Sequence, residues 1–344
     1  MSKILIVTDA WHPQINGVVR SLERVALEMT KVGETVEFLT PQDYRTLPCP
    51  TYPEIRLSLT TSGRMRRRLE EIGADHVHIA TEGPLGISAR RAVLAMGQTY
   101  TTSYHTRFPE YLSARFPVPE RWTYAWLRRF HNGGSGCMVT TATLEKELAA
   151  HGFRNLMRWA RGVDAGDFRP DMTPAPALAD LPRPIFMNVG RVAVEKNLEA
   201  FLKLDLPGTK VIVGDGPAKQ SLQARYPDVV FTGAKVGDEL VSHYTAADVF
   251  VFPSLTDTFG NVLLEALACG VPVAAYPVVG PIDIIGDSGA GVLDWDLQQA
   301  ALGALDVPRD FCRDFALTFS WEASAAQFLG NIHAAHGIST RNAA

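Results

Sequence analysis

Residues 253–272 read PSLTDTFGNVLLEALACGVP, and the way this stretch is bounded decides the fold. The apolar run Asp248–Phe252 (DVFVF) just before it is short and β-branched or aromatic, as a buried strand should be. A polar loop follows, and a helix carrying Glu265 is predicted to start near Phe259 or Gly260. Strand, polar loop and helix start, in that order, make a cradle for phosphate and sugar. The first N–H groups of a helix have no partners within it, and the helix dipole puts partial positive charge there. Gly260 allows a ligand to approach closely. Thr256, Asp257 and Thr258 are also ordinary helix-capping residues. Glu265 has no such reading: it lies among Leu263, Leu264, Leu267 and Ala268, where a carboxylate needs a partner.

Working outward, the second half alternates apolar strands with helices: PIFMNVG, TKVIVGDG, VVFTG, DVFVF, PVAAYP and GAGVLD. The first half has the same rhythm, from Ile4–Val7 through a helix bearing Leu22, Val25, Ala26 and Met29 to TVEFLT, then HVHIA (His76–Ala80), YTTSYH (Tyr100–His105) and CMVTTA (Cys137–Ala142). Strands alternating with helices imply parallel sheets covered on both faces, with ligands outside the carboxyl ends of the strands. The proline- and alanine-rich run TPAPALADLPRP reads as a linker. The expected organisation is one domain over 1–165, a linker over 166–183, a second domain over 184–320 and a last helix over 321–344.

The opening segment resembles the Glu-x7-Glu signature of retaining nucleotide-sugar glycosyltransferases of family 4, with Asp257 in place of the first Glu and Glu265 as the second. The resemblance implies an α/β GT-B fold, two Rossmann-like doubly wound domains facing a central cleft, the first binding the acceptor and the second the nucleotide-sugar, with the last helix crossing back to the first. It implies that Asp257 binds donor-sugar hydroxyls, that Glu265 binds the ribose, and that the Phe259, Gly260 and Asn261 backbone holds the distal phosphate. Asp257 is one methylene shorter than Glu, about 1.5 Å less reach, and still accepts hydroxyl hydrogen bonds. NVGRVAVEKN (Asn188–Asn197) matches the family's Gly-Arg and Glu-Lys-Asn elements, which implies Gly190 at the donor and Arg191 and Lys196 on its diphosphate. Two fixed cations stabilise the charge that develops on a departing diphosphate without requiring a metal. VGDGP (Val213–Pro217) lacks the third glycine of a dinucleotide fingerprint. Its family counterpart lies near the nucleotide, which brings in Asp215 and Gly216, and TGAK (232–235) would face the base through its backbone.

In the first half, His105 within TTSYHTRFPEYL stands where the family has a histidine beside the reacting sugar, and the resemblance implies that it holds sugar or acceptor in line. Gly17 would open a helix toward the diphosphate, while Asn16, Glu82, Arg107 and Tyr111 would line the acceptor side. The expected catalytic set is therefore His105, Asp257, Arg191 and Lys196. The implied reaction retains configuration, with the leaving phosphate taking the acceptor's proton; a carboxylate forming a covalent intermediate is the alternative. His76 and His78 share a strand face, but two ligands without a third make no metal site. No metal and no cofactor are expected. A dehydrogenase is disfavoured because the first strand leads into DAWHPQINGV with no glycine-rich turn, and no Schiff-base lysine suited to pyridoxal chemistry is identifiable.

A chain of 344 residues, 46% hydrophobic and 20% charged, suits two soluble domains. No run of eighteen apolar residues suggests a membrane span, and MSKILIVTDAW reads as a first strand rather than a signal peptide. Cys49, Cys137, Cys269 and Cys312 lack metal spacing, so a cytoplasmic protein without disulfides is expected. Residues 1–164 carry 21 Lys and Arg against 16 Asp and Glu, although the whole chain is at −4. Arg64, Arg66, Arg67 and Arg68 form one cluster. Arg107, Arg115, Arg121, Arg128 and Arg129 mix with Phe108, Phe116, Trp122 and Trp126 in a second. Arginine with interfacial aromatics suits anionic lipid headgroups, so Arg64, Arg66, Arg67, Arg68, Trp122 and Trp126 are expected membrane contacts, on the inner face of the membrane. The same residues also read as a solvated helix face and as core aromatics. Nucleic acid is disfavoured, because no recognition motif is present.

HIATEGPLG and YHTRFPEYL resemble the bacterial branch of the family that builds glycolipids on diacylglycerol. The expected reaction is transfer of glucose or glucuronate from a UDP-sugar to a lipid acceptor, diacylglycerol first, giving an α-glycolipid. A GDP-mannose-dependent α-mannosyltransferase, or a transferase acting on polysaccharide, is the alternative within the class. A nucleotide-sugar-binding protein without transfer activity is the alternative outside it.

Overall fold

A computed structural model describes residues 2–14, 16–49, 52–113 and 117–342. Arg115 and Phe116 of the second basic stretch lie outside the described residues. The chain divides into two compact units, Met1–Arg161 with Trp321–Ala344, and Gly162–Ser320.

The first unit opens with β1 (Lys3–Val7), α1 (Gly17–Lys31) and β2 (Thr35–Leu39), a parallel βαβ unit with Lys3 opposite Thr35. An antiparallel hairpin follows, β3 (Thr46–Cys49) and β4 (Tyr52–Ser58). Prolines 48, 50 and 53 break the alternation by which such strands are recognised. Then come α2 (Ser62–Ile72), β5 (His76–Ile79), α3 (Pro84–Ala95), β6 (Thr101–Ser103), α4 (Phe108–Ser113), α5 (Glu120–His131), β7 (Gly136–Val139), α6 (Ala142–Ala150) and β8 (Leu156–Arg158). The sheet is parallel in the order β2-β1-β5-β6-β7-β8, so the strand order reverses between β1 and β5.

The second unit holds β9 (Ile185–Val189), α7 (Leu198–Leu202), β10 (Thr209–Val213), α8 (Lys219–Arg225), β11 (Val230–Gly233), α9 (Gly237–Ala246), β12 (Val249–Phe252), α10 (Asn261–Ala268), β13 (Val273–Ala275), α11 (Pro281–Ile284), β14 (Gly291–Leu293), α12 (Leu297–Gly303) and α13 (Arg309–Ala316). Its parallel sheet runs β11-β10-β9-β12-β13-β14, the doubly wound dinucleotide-fold order with the switch point between β9 and β12. Residues 166–183, read as a linker, are part of this unit. Phe168, Ala175 and Leu178 are buried in its core, and Ala175 N–H donates to the Ser242 carbonyl at 2.8 Å. The prolines of this segment obscured three apolar residues that have somewhere to pack.

Helix α14 (Trp321–Asn342) belongs to the first unit. Trp321, Ala325, Phe328 and Ile332 recur at helical spacing and are buried against Ile4, Ile6, Leu22, Val25 and Met29. Polar contacts add register: Trp159 Nε1 donates to Ser324 Oγ at 3.1 Å, and the Asn331 amide donates to the Arg158 carbonyl at 2.7 Å.

Beneath β6 lies a buried polar layer with two unlike histidines. His78 bonds the Thr101 and Ser103 hydroxyls at 2.9 and 3.0 Å, and burial pushes its imidazole down to about 3, so it is neutral. His131 Nδ1 lies 2.8 Å from Thr102 Oγ1, and its Nε2 lies 3.0 Å from Glu82 Oε1. Burial opposes the imidazolium, but the Cys137 sulfur and the Glu82 carboxylate outweigh it and raise His131 to about 10. A folded-state value above the unfolded one stabilises the fold fully below about pH 6.5, and that contribution fades as pH rises through about 10. Asp9, raised by burial to about 6, acts at lower pH, its contribution fading as pH rises from about 4 to about 6. Between pH 7 and 10 the thermal midpoint of the wild type should therefore fall more steeply than that of Glu82→Gln. Parallel melting curves for the two proteins would show that Glu82 does not hold the proton on His131.

Candidate functional site

The second unit's switch point is where the predicted donor residues meet. Strands β9 and β12 are neighbours, so the loop leaving β9 (residues 190–197) lies against the loop leaving β12 (residues 253–260). Three contacts stitch them. Asn197 Nδ2 donates to the Pro253 carbonyl at 3.0 Å, Thr256 Oγ1 donates to the Glu195 carbonyl at 3.3 Å, and Lys196 Nζ meets Asp257 Oδ1 at 2.5 Å. Asn197 takes a left-handed conformation (φ 51°), which turns Lys196 out of a short 3-10 turn toward that carboxylate. The other Asp257 oxygen, Oδ2, is buried with no hydrogen-bond partner among the described residues. The Oγ of Ser254, 2% exposed in the same loop, is likewise without one. Asp257 thus holds Lys196 with one oxygen and keeps the other as an acceptor.

Helix α10 starts at Asn261, one residue after Gly260, whose φ of 91° few other residues would tolerate. A Cβ on Gly260 would also meet Phe252 and Leu263 at 3.2 Å. No side chain caps the helix from the Gly260 position. Thr256 and Asp257 are drawn to the β9 loop and do not act as caps there. The partner that Glu265 requires is Tyr244, fully buried on α9, whose hydroxyl donates to Glu265 Oε2 at 3.0 Å. The sequence showed only the need for a partner, because the two residues come from different helices. Arg313 fixes the far end of α10 through the Ala268 carbonyl at 2.7 Å and also holds the Ala165 and Phe168 carbonyls. Cys269, raised by burial to about 12, is a protonated core thiol.

The two glycines of VGDGP serve packing. A Cβ on Gly214 would lie 1.8 Å from the Gly190 carbonyl oxygen, and one on Gly216 would lie 2.4 Å from that of Val192. They let the β10 exit loop press on the β9 loop next to Arg191. Asp215 pairs with Lys219 at 2.9 Å and accepts from Gly216 N–H at 2.8 Å. A cavity of about 300 Å³ beside β11 and α9 includes Thr232 and Lys235, the segment expected at the base, but none of Arg191, Lys196, Asp257 or Glu265.

In the first unit several expected ligand residues are engaged by the fold. Asn16 Oδ1 accepts from Val18 and Val19 N–H at 3.0 Å, so it caps α1 at Gly17 and occupies the amides that were expected to face a phosphate. Glu82 is 4% exposed and is the partner of His131. Arg107 makes a bidentate pair with Glu147 at 2.9 and 2.6 Å and also reaches Glu110. These three residues are thus each tied to other parts of the unit. Tyr111 lies on α4, with its N–H on the Arg107 carbonyl at 3.0 Å. His105 follows β6, and Arg161 Nη2 lies 2.9 Å from its Nδ1. Burial, followed by the charge of Arg161, holds the imidazole well below its usual range.

The expected membrane contacts lie on two exposed helix faces. Arg64, Arg66, Arg67 and Arg68 are all exposed on α2, with Arg66 paired to Glu70 and Arg68 to Glu71. On α5, Trp122 (63% exposed) and Trp126 (44%) sit one turn apart with Arg129 next along the same face. No helix among the described residues is long and apolar enough to cross a membrane. His76 lies beside His333 and His336 of α14, with ring centroids 5.9 and 5.0 Å away, yet no three described ligands are placed to hold a metal ion.

Two family models match the chain, Glycosyltransferase Family 4 over residues 15–167 and Glycosyl transferases group 1 over 183–306. The chain is 31% identical to a GDP-mannose-dependent alpha-mannosyltransferase of Mycobacterium tuberculosis, over 99% of both chains. It is 24% identical to the alpha-monoglucosyldiacylglycerol synthase of Streptococcus pneumoniae, over 96% of this chain and 84% of that one. Its fold matches the sucrose-phosphate synthase of Thermosynechococcus elongatus with a TM-score of 0.75, at 18% identity over 98% of this chain and 100% of the other. With its two parallel-sheet Rossmann-like units of GT-B type and the Asp257/Glu265 signature built into the second, the chain belongs to glycosyltransferase family 4.

Proposed function

We propose that the protein is a retaining α-hexosyltransferase that moves mannose from GDP-mannose to a lipid-borne acceptor at a membrane surface. Transfer from UDP-glucose or UDP-glucuronate to diacylglycerol is the second reading. The observation that carries the transferase reading is the Lys196–Asp257 pair beside the start of α10, with Glu265 oriented by Tyr244 from within. GDP-mannose comes first because the mannosyltransferase relative aligns end to end at 31% identity. The glucosyldiacylglycerol synthase, at 24%, supports the second reading and, with the exposed arginine and tryptophan faces, the lipid acceptor.

In this scheme the bond from the sugar anomeric carbon to the diphosphate oxygen breaks as the acceptor oxygen bonds the same face of that carbon. The acceptor's proton passes to the departing phosphate. Lys196, Arg191 and the α10 amides stabilise the charge that appears on the diphosphate. Asp257 Oδ2 accepts a sugar hydroxyl, and Glu265 accepts the ribose hydroxyls. Position and electrostatics carry the rate, and no protein nucleophile or bound metal is invoked.

The roles separate experimentally. Asp257→Asn should lower kcat by about a hundredfold or more while nucleotide affinity changes by less than about threefold, since its free oxygen acts on the sugar. Glu265→Gln should weaken nucleotide binding by about tenfold or more, and Tyr244→Phe by less, as loss of a charge-assisted contact outweighs loss of a neutral one. Equal losses of nucleotide affinity in Asp257→Asn and Glu265→Gln would refute this division. For the substrates, the purified protein should turn over GDP-mannose with a diacylglycerol-based glycolipid in mixed micelles. Faster turnover of UDP-glucose or UDP-glucuronate with diacylglycerol would favour the second reading, and transfer only to water-soluble acceptors would remove the lipid from both.

A further inference from the structure

Arg161, at the end of the first unit, is 4% exposed, and its guanidinium lies 3.6 Å over the Trp159 ring. Its Nη2 reaches His105 Nδ1 at 2.9 Å, while its Nη1 is buried without a hydrogen-bond partner among the described residues. Among the described residues no carboxylate pairs with it. Burial alone shifts it, down to about 9, so it remains a cation at neutral pH. A buried, uncompensated guanidinium is costly, and its planar fork of donors is matched by an oxyanion. Arg107, in the same unit, has Glu147 and Glu110; among the described residues Arg161 meets a neutral histidine and an aromatic face.

The contact also settles the state of His105. A guanidinium has donors and no acceptor, so Nδ1 must be the unprotonated nitrogen, and the ring's one proton sits on Nε2. Among the groups that face His105, Arg161, His78 and His131 all disfavour the imidazolium, and the Trp159 ring packs edge-on against it. His105 is therefore a hydrogen-bond donor through Nε2 and not a proton acceptor at that atom.

We infer that Arg161 is an anion-recognition residue, binding a carboxylate, sulfonate or phosphate group of the substrate through Nη1 and holding His105 in its Nε2–H form through Nη2. The anion's belonging to a substrate rests on the proposed transfer reaction; the anion site itself does not.

Arg161→Gln and Arg161→Lys test this, with circular dichroism confirming that each is folded. With inorganic sulfate as the probe at low ionic strength, the thermal midpoint of the wild type should rise more than that of Arg161→Gln, and Arg161→Lys should lie between them. Nitrogen NMR of His105 should show a neutral Nε2–H ring in the wild type across the range where an ordinary imidazole titrates, and a titrating ring in Arg161→Gln. Kinetics then locate the anion. In Arg161→Gln, kcat/KM for one anionic substrate should fall about tenfold or more relative to its neutral partner, the scale of one charge-assisted contact. A fall for UDP-glucuronate against UDP-glucose assigns the anion to the sugar, and one for phosphatidylinositol against diacylglycerol assigns it to the acceptor. A loss of GDP and UDP affinity assigns it to the diphosphate. Equal sulfate stabilisation of wild type and Arg161→Gln would overturn the proposal even if the protein transferred no sugar. Equal losses on every neutral and anionic substrate, with the His105 tautomer unchanged, would reduce Arg161 to a structural residue.

Discussion

The stitch between the loops leaving β9 and β12 is the constraint on which the rest of the second unit depends. A doubly wound sheet brings together, at its switch point, two strands whose following helices go to opposite faces, and this opens the space between their exit loops. Here that space is closed from below by Asn197 on the Pro253 carbonyl and by Thr256 on the Glu195 carbonyl. It is charged from above by Lys196 and Asp257. Their side chains are 26% and 17% exposed, so the pair is partly screened and contributes little to stability compared with a dry pair. Its larger effect is positional, since each ion holds the other at the start of α10 before any ligand arrives.

Other features of the unit follow from that arrangement. Gly214 and Gly216 allow the third loop to press against the first, which a side chain at either position would prevent. Glu265 is accommodated within a nearly apolar helix because Tyr244 donates to it from α9. Arg313 satisfies carbonyls at the end of α10 and in residues 165–168, so the start of α10 is set from its far end. Glu265 and Arg313 are each satisfied by groups from other elements. Such networks rigidify a site when every member has a partner.

The fold was largely legible in the sequence because parallel strands buried on both faces are short apolar runs; all six strands of the second unit are found where the alternation of strand and helix put them. The hairpin β3–β4 was not legible, since prolines disguise it, and neither was the packing of Phe168, Ala175 and Leu178, which lie in a run composed like a linker. At the site, residues whose role follows from chain-local position were visible: Asp257, Gly260 and Glu265 around one helix start, Arg191 and Lys196 after one strand. Residues defined by a partner distant in sequence were not. Tyr244, His131 and Arg161 acquire meaning only from Glu265, Glu82 and His105, which are 21, 49 and 56 positions away. The same limit hid the pairing of Glu82 with His131 and of Arg107 with Glu147, whose partners stand far along the chain.

Three histidines in the first unit, His78 and His131 buried and His105 half-buried, show how partner chemistry bears on charge. His78 meets two hydroxyls, which can donate as readily as accept, and it stays neutral. His131 meets a carboxylate on one nitrogen and a hydroxyl on the other. That hydroxyl, on Thr102, has its own proton directed to the Gly136 carbonyl at 3.4 Å, so both ring nitrogens are free to donate, as an imidazolium requires. His105 meets a guanidinium, which can only donate, and its Nδ1 lone pair is used in accepting. Glu82 is balanced by His131, and Glu147 and Glu110 by Arg107. Glu82, Glu110 and Glu147 thus each meet a cationic partner, whereas Arg161 Nη1 is buried without a hydrogen-bond partner among the described residues.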